Sequence, residues 1–182
     1  ANVIYTSQTD VIEQQVKAAR QLADFVVVGV HWGVENSHTV VDAQRALAQS
    51  LADWGADLII GTHPHVLQNA QWLTAADGRQ VFTAYSLGNF ISTQEKPDQL
   101  IGAILSVQLE KTTELDGTVR CSVLSPRLLP TVTHYDAGKS NVRTYLFRDY
   151  TEALTKSHGV RQAYPDFSLE MIQSIARKNI DP

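Results

Sequence analysis

Phe25-Val-Val-Val-Gly-Val30 is followed directly by His31, and Asp57-Leu-Ile-Ile60 is followed by Gly61-Thr-His-Pro-His65. Both apolar runs lack polar alternation, which is how a strand of a parallel sheet buried on both faces reads, and the first is expected to be a central strand. Between them Ala43, Leu47, Leu51 and Trp54 mark one face of a helix that starts near Thr39 or Val40 and is stopped by Gly55. Strand, helix and strand in this order make a right-handed βαβ unit with two parallel strands. Before it, Ile12, Val16, Ala19 and Ala23 give a helix over Asp10 to Asp24, with Asp10 and Glu13 resembling a capping box, after an extended stretch from Asn2 to Tyr5. Beyond it, Gln71 to Leu73 and Gln80 to Tyr85 flank the turn Ala76-Asp-Gly-Arg79 as a hairpin, and Ser86-Leu-Gly-Asn89 reads as a tight loop. Ile101 to Glu110, Val119 to Leu124 and Val142 to Phe147 read as further strands, expected to continue the sheet in antiparallel fashion. Helical patches at Thr151 to Lys156 and Leu169 to Lys178 form a tail divided by His158-Gly159 and Pro165. The expected division is 1–149 as one α/β portion and 150–182 as a helical tail.

Composition narrows the function classes. With 182 residues, 43% hydrophobic and 19% charged, the chain is globular rather than disordered. A net charge of -4 provides no general basic field for nucleic acid, and no nucleic-acid partner is expected. The longest apolar runs fall far short of the roughly 18 residues of a spanning helix. Cys121 is the single cysteine, so neither an intrachain disulfide nor a cysteine metal cluster is available. Ala1 opens the chain without an initiating Met or a secretion signal, and it reads as a piece of a longer protein.

Three of the six histidines fall where a parallel sheet places its ligands, outside the carboxyl ends of its strands. His31 follows one strand, and His63 and His65 follow the other; neighbouring strands bring such residues to within about 5 to 10 Å. Pro64 has no N–H and pushes His63 toward an extended conformation, and extended residues two apart point the same way. His31, His63 and His65 are therefore candidate ligands for a divalent Mn, Fe or Zn ion, and Gly61 is expected to free the backbone for a sharp turn. Glu35 is a candidate second-sphere carboxylate or acid-base group, Gly33 a bend, and Trp32 a packing aromatic. Gly88 and Asn89 suit a left-handed turn that presents an amide to an anion, or a purely structural turn. His38, His134 and His158 are expected to be ordinary surface or loop histidines.

Val30-His-Trp-Gly-Val-Glu35, the segment Gly55 to Val66 and Tyr85-Ser-Leu-Gly-Asn-Phe90, in that order, resemble the C-terminal half of the CapA family of capsule biosynthesis proteins. The resemblance implies the C-terminal portion of a calcineurin-like α/β sandwich, a metallophosphoesterase-type fold. It implies metal-site roles for His31, His63 and His65, one or two divalent ions in the intact domain, and proton transfer by His65 or Glu35. It further implies a phosphoester substrate or an anionic surface polymer such as poly-γ-glutamate, other capsule-synthesis proteins as partners, and an extracytoplasmic or membrane-anchored bacterial location. Family members carry earlier Gly-Asp and Asn-Asn-His motifs, and residues 1 to 30 contain neither. The isolated piece is accordingly expected to be catalytically poor or silent, and to self-associate through an exposed sheet edge. The reading from another class is a noncatalytic polymer-handling or assembly subunit with a vestigial metal site.

Overall fold

A computed structural model describes residues 3–180. It is a mixed α/β protein with two stacked sheets and four α-helices among the described residues. Asn2, at the start of the expected extended stretch, lies outside the described residues; Val3 to Tyr5 form no strand.

Helix α1 spans Thr9–Leu22 and buries Val16, with Ile12 and Ala19 half-buried on the same stripe. Its start differs from the expected capping box. Gln8 occupies the cap, its side-chain oxygen accepts from the Tyr5 N–H at 2.9 Å, and Glu13 pairs with Lys17 one turn on. Glu13 faces outward, where a lysine at i+4 is its nearest partner.

The first sheet has the order β1-β2-β4-β3, with β1 at Val27–His31, β2 at Leu58–Thr62, β3 at Leu67–Thr74 and β4 at Gln80–Leu87. β1 and β2 are parallel and joined through helix α2, Asp42–Trp54, as the βαβ reading requires. β2 also pairs in parallel with β4, and β3 and β4 form the antiparallel hairpin around Gly78. The central position belongs to β2, whereas β1 is an edge strand of alternating exposed and half-buried residues, with Val27 50% exposed. The apolar run from Phe25 is continuous because Val28 and Val30 pack against the helical layer while Phe25 packs on the opposite side. Both faces are covered in part, but only one edge is paired among the described residues.

Residues 101–146 do not extend this sheet. β5 (Ile101–Thr113), β6 (Val119–Asp136) and β7 (Ser140–Leu146) form their own antiparallel sheet, and Val123 of β6 packs on Leu58, Ala70 and Phe82 of the first. The layers are thus helices α1 and α2, then the first sheet, then the second sheet. Helix α3 (Glu152–Ser157) and helix α4 (Leu169–Ile180) follow, and α4 packs on both sheets, Phe167, Ile172 and Ala176 sharing a core with Ile101 and Val132 of the second and Leu67 of the first. Among the described residues no helix is long and apolar enough to cross a membrane.

At the amino-terminal edge of the parallel strands Asp57 is buried, accepting from the Val26 N–H at 2.7 Å and pairing with Arg20 at 2.6 Å and Arg79 at 3.3 Å. This ties α1, β2 and the hairpin turn together. A cleft opens at the same end, lined by Arg20, Asp57 and Arg79. The histidines emerge at the opposite end.

Candidate metal centre

His31 is the last residue of β1 and is paired in register with Thr62, the last residue of β2. The Trp32 N–H donates to the Thr62 carbonyl at 3.1 Å, so the two strand ends stay together for one residue more. His63 and His65 follow immediately. Their ring centroids lie 6.2 Å apart, and the His31 ring lies 4.4 Å from that of His63. The expected convergence of the two strand ends is what the structure shows.

The tightest donor group among the described residues is Glu35, His63 and His65, whose ligating atoms all lie within 4.8 Å of one another. Glu35 Oε1 stands 4.0 Å from His65 Nε2. His31 borders this group without belonging to it, and its ring is exposed. Glu35 is therefore spaced as a donor candidate beside the two imidazoles.

The backbone reaches this arrangement by a different route from the extended one expected. His63 has φ 101° and His65 has φ 62°, both in the left-handed region that costs a non-glycine residue of order 1–3 kcal/mol. Such strain persists only where neighbours over-determine it. Here Pro64 is buried, its carbonyl accepts from the Asn36 N–H at 2.7 Å, and the Val66 carbonyl accepts from the Ser86 hydroxyl at 2.8 Å. The proline restricts His63 to non-helical backbone, but tertiary bonds choose which non-helical region it takes.

Gly61 does not make the expected turn, since it lies inside β2. A Cβ there would sit 2.0 Å from the Tyr85 carbonyl oxygen and 2.3 Å from the Trp32 indole nitrogen. Its absence lets the buried Trp32 ring donate to the Tyr85 carbonyl at 2.9 Å and stack on the Tyr85 ring at 5.8 Å. Trp32 is a packing residue, as read from the sequence. Gly33 does bend the chain, at φ 87°, and a Cβ would strike the Gln44 amide.

Beneath the His31–Val41 loop lies a buried amide pair that the sequence reading did not single out. Gln44 Nε2 donates to Gln68 Oε1 at 2.9 Å, Gln44 Oε1 accepts from the Val41 N–H at 3.1 Å, and Gln68 Nε2 reaches the Ser37 and Thr39 carbonyls. A glutamine at the third position of a helix is the signal that could have found Gln44; Gln68, at the start of a strand, had none.

Gly88 has φ 65°, and its N–H donates to the Ser86 hydroxyl at 3.2 Å. The Asn89 side chain lies against His65, Oδ1 to Nδ1 at 3.0 Å, and its nitrogen faces protein oxygens. His38 is half-buried, with Nδ1 2.7 Å from the Leu67 carbonyl. His134, on β6, is neither a surface nor a loop histidine, and His158, in the connection after α3, is buried rather than on the surface. They are 4% and 2% exposed, because β6 and the tail enclose them in an aromatic core with Tyr135, Tyr150 and Phe167.

A parallel α/β layer with two imidazoles and a carboxylate converging past its strand ends defines a class of protein with a donor cluster at the sheet's ligand-binding edge. The chain belongs to the bacterial capsule synthesis protein family PGA_cap, whose family model matches residues 2–94, and that span includes every residue from His31 to Asn89 described above. It is 35% identical over 120 residues to the PGA biosynthesis protein CapA of Bacillus subtilis (strain 168), covering 66% of this chain and 29% of that protein. It is 42% identical over 89 residues to the capsule biosynthesis protein CapA of Bacillus anthracis, covering 47% of this chain and 20% of that one. The matched stretches thus span less than a third of either relative.

Proposed function

We propose that this chain is the part of a CapA-like capsule biosynthesis protein that carries a divalent-metal hydrolytic centre, acting on a phosphoester or on an acyl bond of a surface polymer such as poly-γ-glutamate. The single observation that carries this reading is the Glu35, His63 and His65 donor set, drawn within 4.8 Å on a backbone held left-handed at both histidines. Two imidazoles and one carboxylate are a donor set that suits Zn, Mn or Fe. One or two such ions belong to the intact domain, with His31 available at the rim. The calcineurin-like fold remains part of this proposal, as does an extracytoplasmic or membrane-anchored location, supported by the capsule-synthesis names of the two relatives.

When bound, a divalent ion supplies Lewis acidity and acidifies water. The remaining roles belong to side chains. His63 and His65 hold their lone pairs on a stiff loop, so little conformational entropy is lost on binding. Glu35, 61% exposed at its side chain, has a second carboxylate oxygen with which to accept a proton from water. His31, exposed beside His63, is placed to return a proton to a leaving group.

A second reading, an assembly subunit of a cell-envelope complex, draws on Val34, Phe90 and Ile91, which are 51%, 60% and 57% exposed on the same loops. The test uses the full-length protein. The hydrolytic reading expects it to retain Mn, Fe or Zn after dialysis and to hydrolyse a generic phosphodiester or a poly-γ-glutamate chain. His63→Ala should reduce metal content to below about a tenth and abolish turnover. Retained metal without turnover on either substrate class favours assembly, and absence of retained metal overturns the centre itself.

A further inference from the structure

Asn89 sits between the donor cluster and residues 94–99, and its hydrogen bonds fix the chemistry of His65. Three oxygens surround its side-chain nitrogen: Gln94 Oε1 at 2.6 Å, the Gln99 carbonyl at 3.0 Å and the His65 carbonyl at 3.3 Å. An amide oxygen in that position would face three acceptors with no hydrogen between them, so the nitrogen must occupy it. The amide oxygen then faces His65 Nδ1 at 3.0 Å. An amide oxygen only accepts, and Nδ1 must therefore carry the proton. In neutral imidazole that leaves the lone pair on Nε2, the atom that faces Glu35 across 4.0 Å.

The acceptors are themselves held. The Gln94 N–H donates to the Ser92 hydroxyl at 3.0 Å, and Gln99 is buried with its oxygen accepting from the Lys96 N–H at 3.1 Å. The Gln99 amide also donates to Asn36 Oδ1, and Asn36 in turn holds the Pro64 carbonyl. Asn89 is thus locked from both sides, with no amide hydrogen spare for a substrate anion.

Resting on the metal-centre reading above, we propose that Asn89 is a positioning residue: it holds His65 as the Nδ1–H tautomer and aims the Nε2 lone pair into the Glu35–His63 cluster. Without it, an imidazole favours the proton on Nε2, which would point a hydrogen at the ion site. The Gly88–Asn89 turn then serves the ligands rather than the substrate.

The test is long-range proton–nitrogen correlation on histidine-labelled, metal-free full-length protein at pH 8, followed by Zn2+ competition titration. Wild type should show His65 as the Nδ1–H form. Asn89→Ala should move the proton to Nε2 and weaken Zn2+ binding about 10- to 100-fold. Asn89→Asp keeps an acceptor for the same proton and should retain the Nδ1–H form, while its second oxygen loses the donor to the Gln94, Gln99 and His65 oxygens, so the tautomer and not the affinity is read in this variant. An Nε2–H form of His65 in wild type overturns the proposal without need of any variant, as does an unchanged tautomer in Asn89→Ala. Expected tautomers in a protein that binds no Zn2+ would instead overturn the metal centre and leave the Asn89–His65 assignment standing.

Discussion

The two histidine groups of this chain differ in what their ring nitrogens meet. In the second layer, His134 has Tyr150 Oη at 2.7 Å on Nδ1 and Asp136 at 3.4 Å on Nε2. His158 donates from Nε2 to the Thr133 carbonyl at 3.0 Å and accepts the Val160 N–H on Nδ1 at 3.0 Å, capping a short 3-10 turn. The rings lie 4.7 Å apart and are buried; burial pushes both below the ordinary imidazole range, His158 to about 4. At the strand ends, by contrast, His31 is exposed, His63 and His65 are half-buried, and His65 turns a lone pair toward a carboxylate. A histidine whose two nitrogens are both satisfied by protein builds the core. One left with an aimed, unpaired nitrogen on strained backbone is the kind to which the proposed function assigns a ligand.

That contrast is open to direct attack. The largest expected effect is on His158: replacing it by Ala removes a cap and a carbonyl partner from the core and should cost about 2 to 3 kcal/mol in urea unfolding, with Zn2+ affinity unchanged. A loss of metal binding there would merge the two groups into one. Next comes acidification. His158 is neutral when folded, with its pKa below that of the unfolded chain, so its contribution is intact above pH 6.5 and is lost as pH falls from 6.5 through about 4. Stability of metal-free protein should fall by at most about 1.4 kcal/mol per pH unit from this group across that window, and the slope should flatten in His158→Ala. An equal slope in the variant would assign the effect to other groups. The smallest effect belongs to His31→Ala, which should weaken Zn2+ binding by less than about tenfold while leaving unfolding unchanged, because His31 stands outside the tight donor set. A loss as large as that in His63→Ala would move His31 into it.

Much of the architecture was legible in local pattern. The βαβ unit, the hairpin around Gly78 and both tail helices follow from apolar periodicity and turn residues, and the structure has them with boundaries shifted by a few residues. What local pattern could not encode was neighbourhood. Phe25 to Val30 reads the same at an edge as at the centre, because an unbroken apolar run carries no mark of a face left open, as this one is at Val27 and Gly29. The second sheet read as an extension of the first, since strand sequences carry no record of which sheet they join. At the candidate site, strand ends announced His31, His63 and His65, but their left-handed backbone depends on Asn36 and Ser86, remote in sequence. The burial of His134 and His158 could not be read because the aromatic rings enclosing them arrive from four separate segments.

The missing side chain at Gly61 lets one indole pack between the strand ends and Tyr85, and that contact has an optical use. Trp32 follows His31 directly in the chain, is 6% exposed and is stacked on Tyr85. Its emission is therefore an internal gauge of the strand ends, sensitive to a paramagnetic quencher lodged among the neighbouring rings. With Trp54 and Trp72 changed to Phe, this one fluorophore would report occupancy without any label being attached.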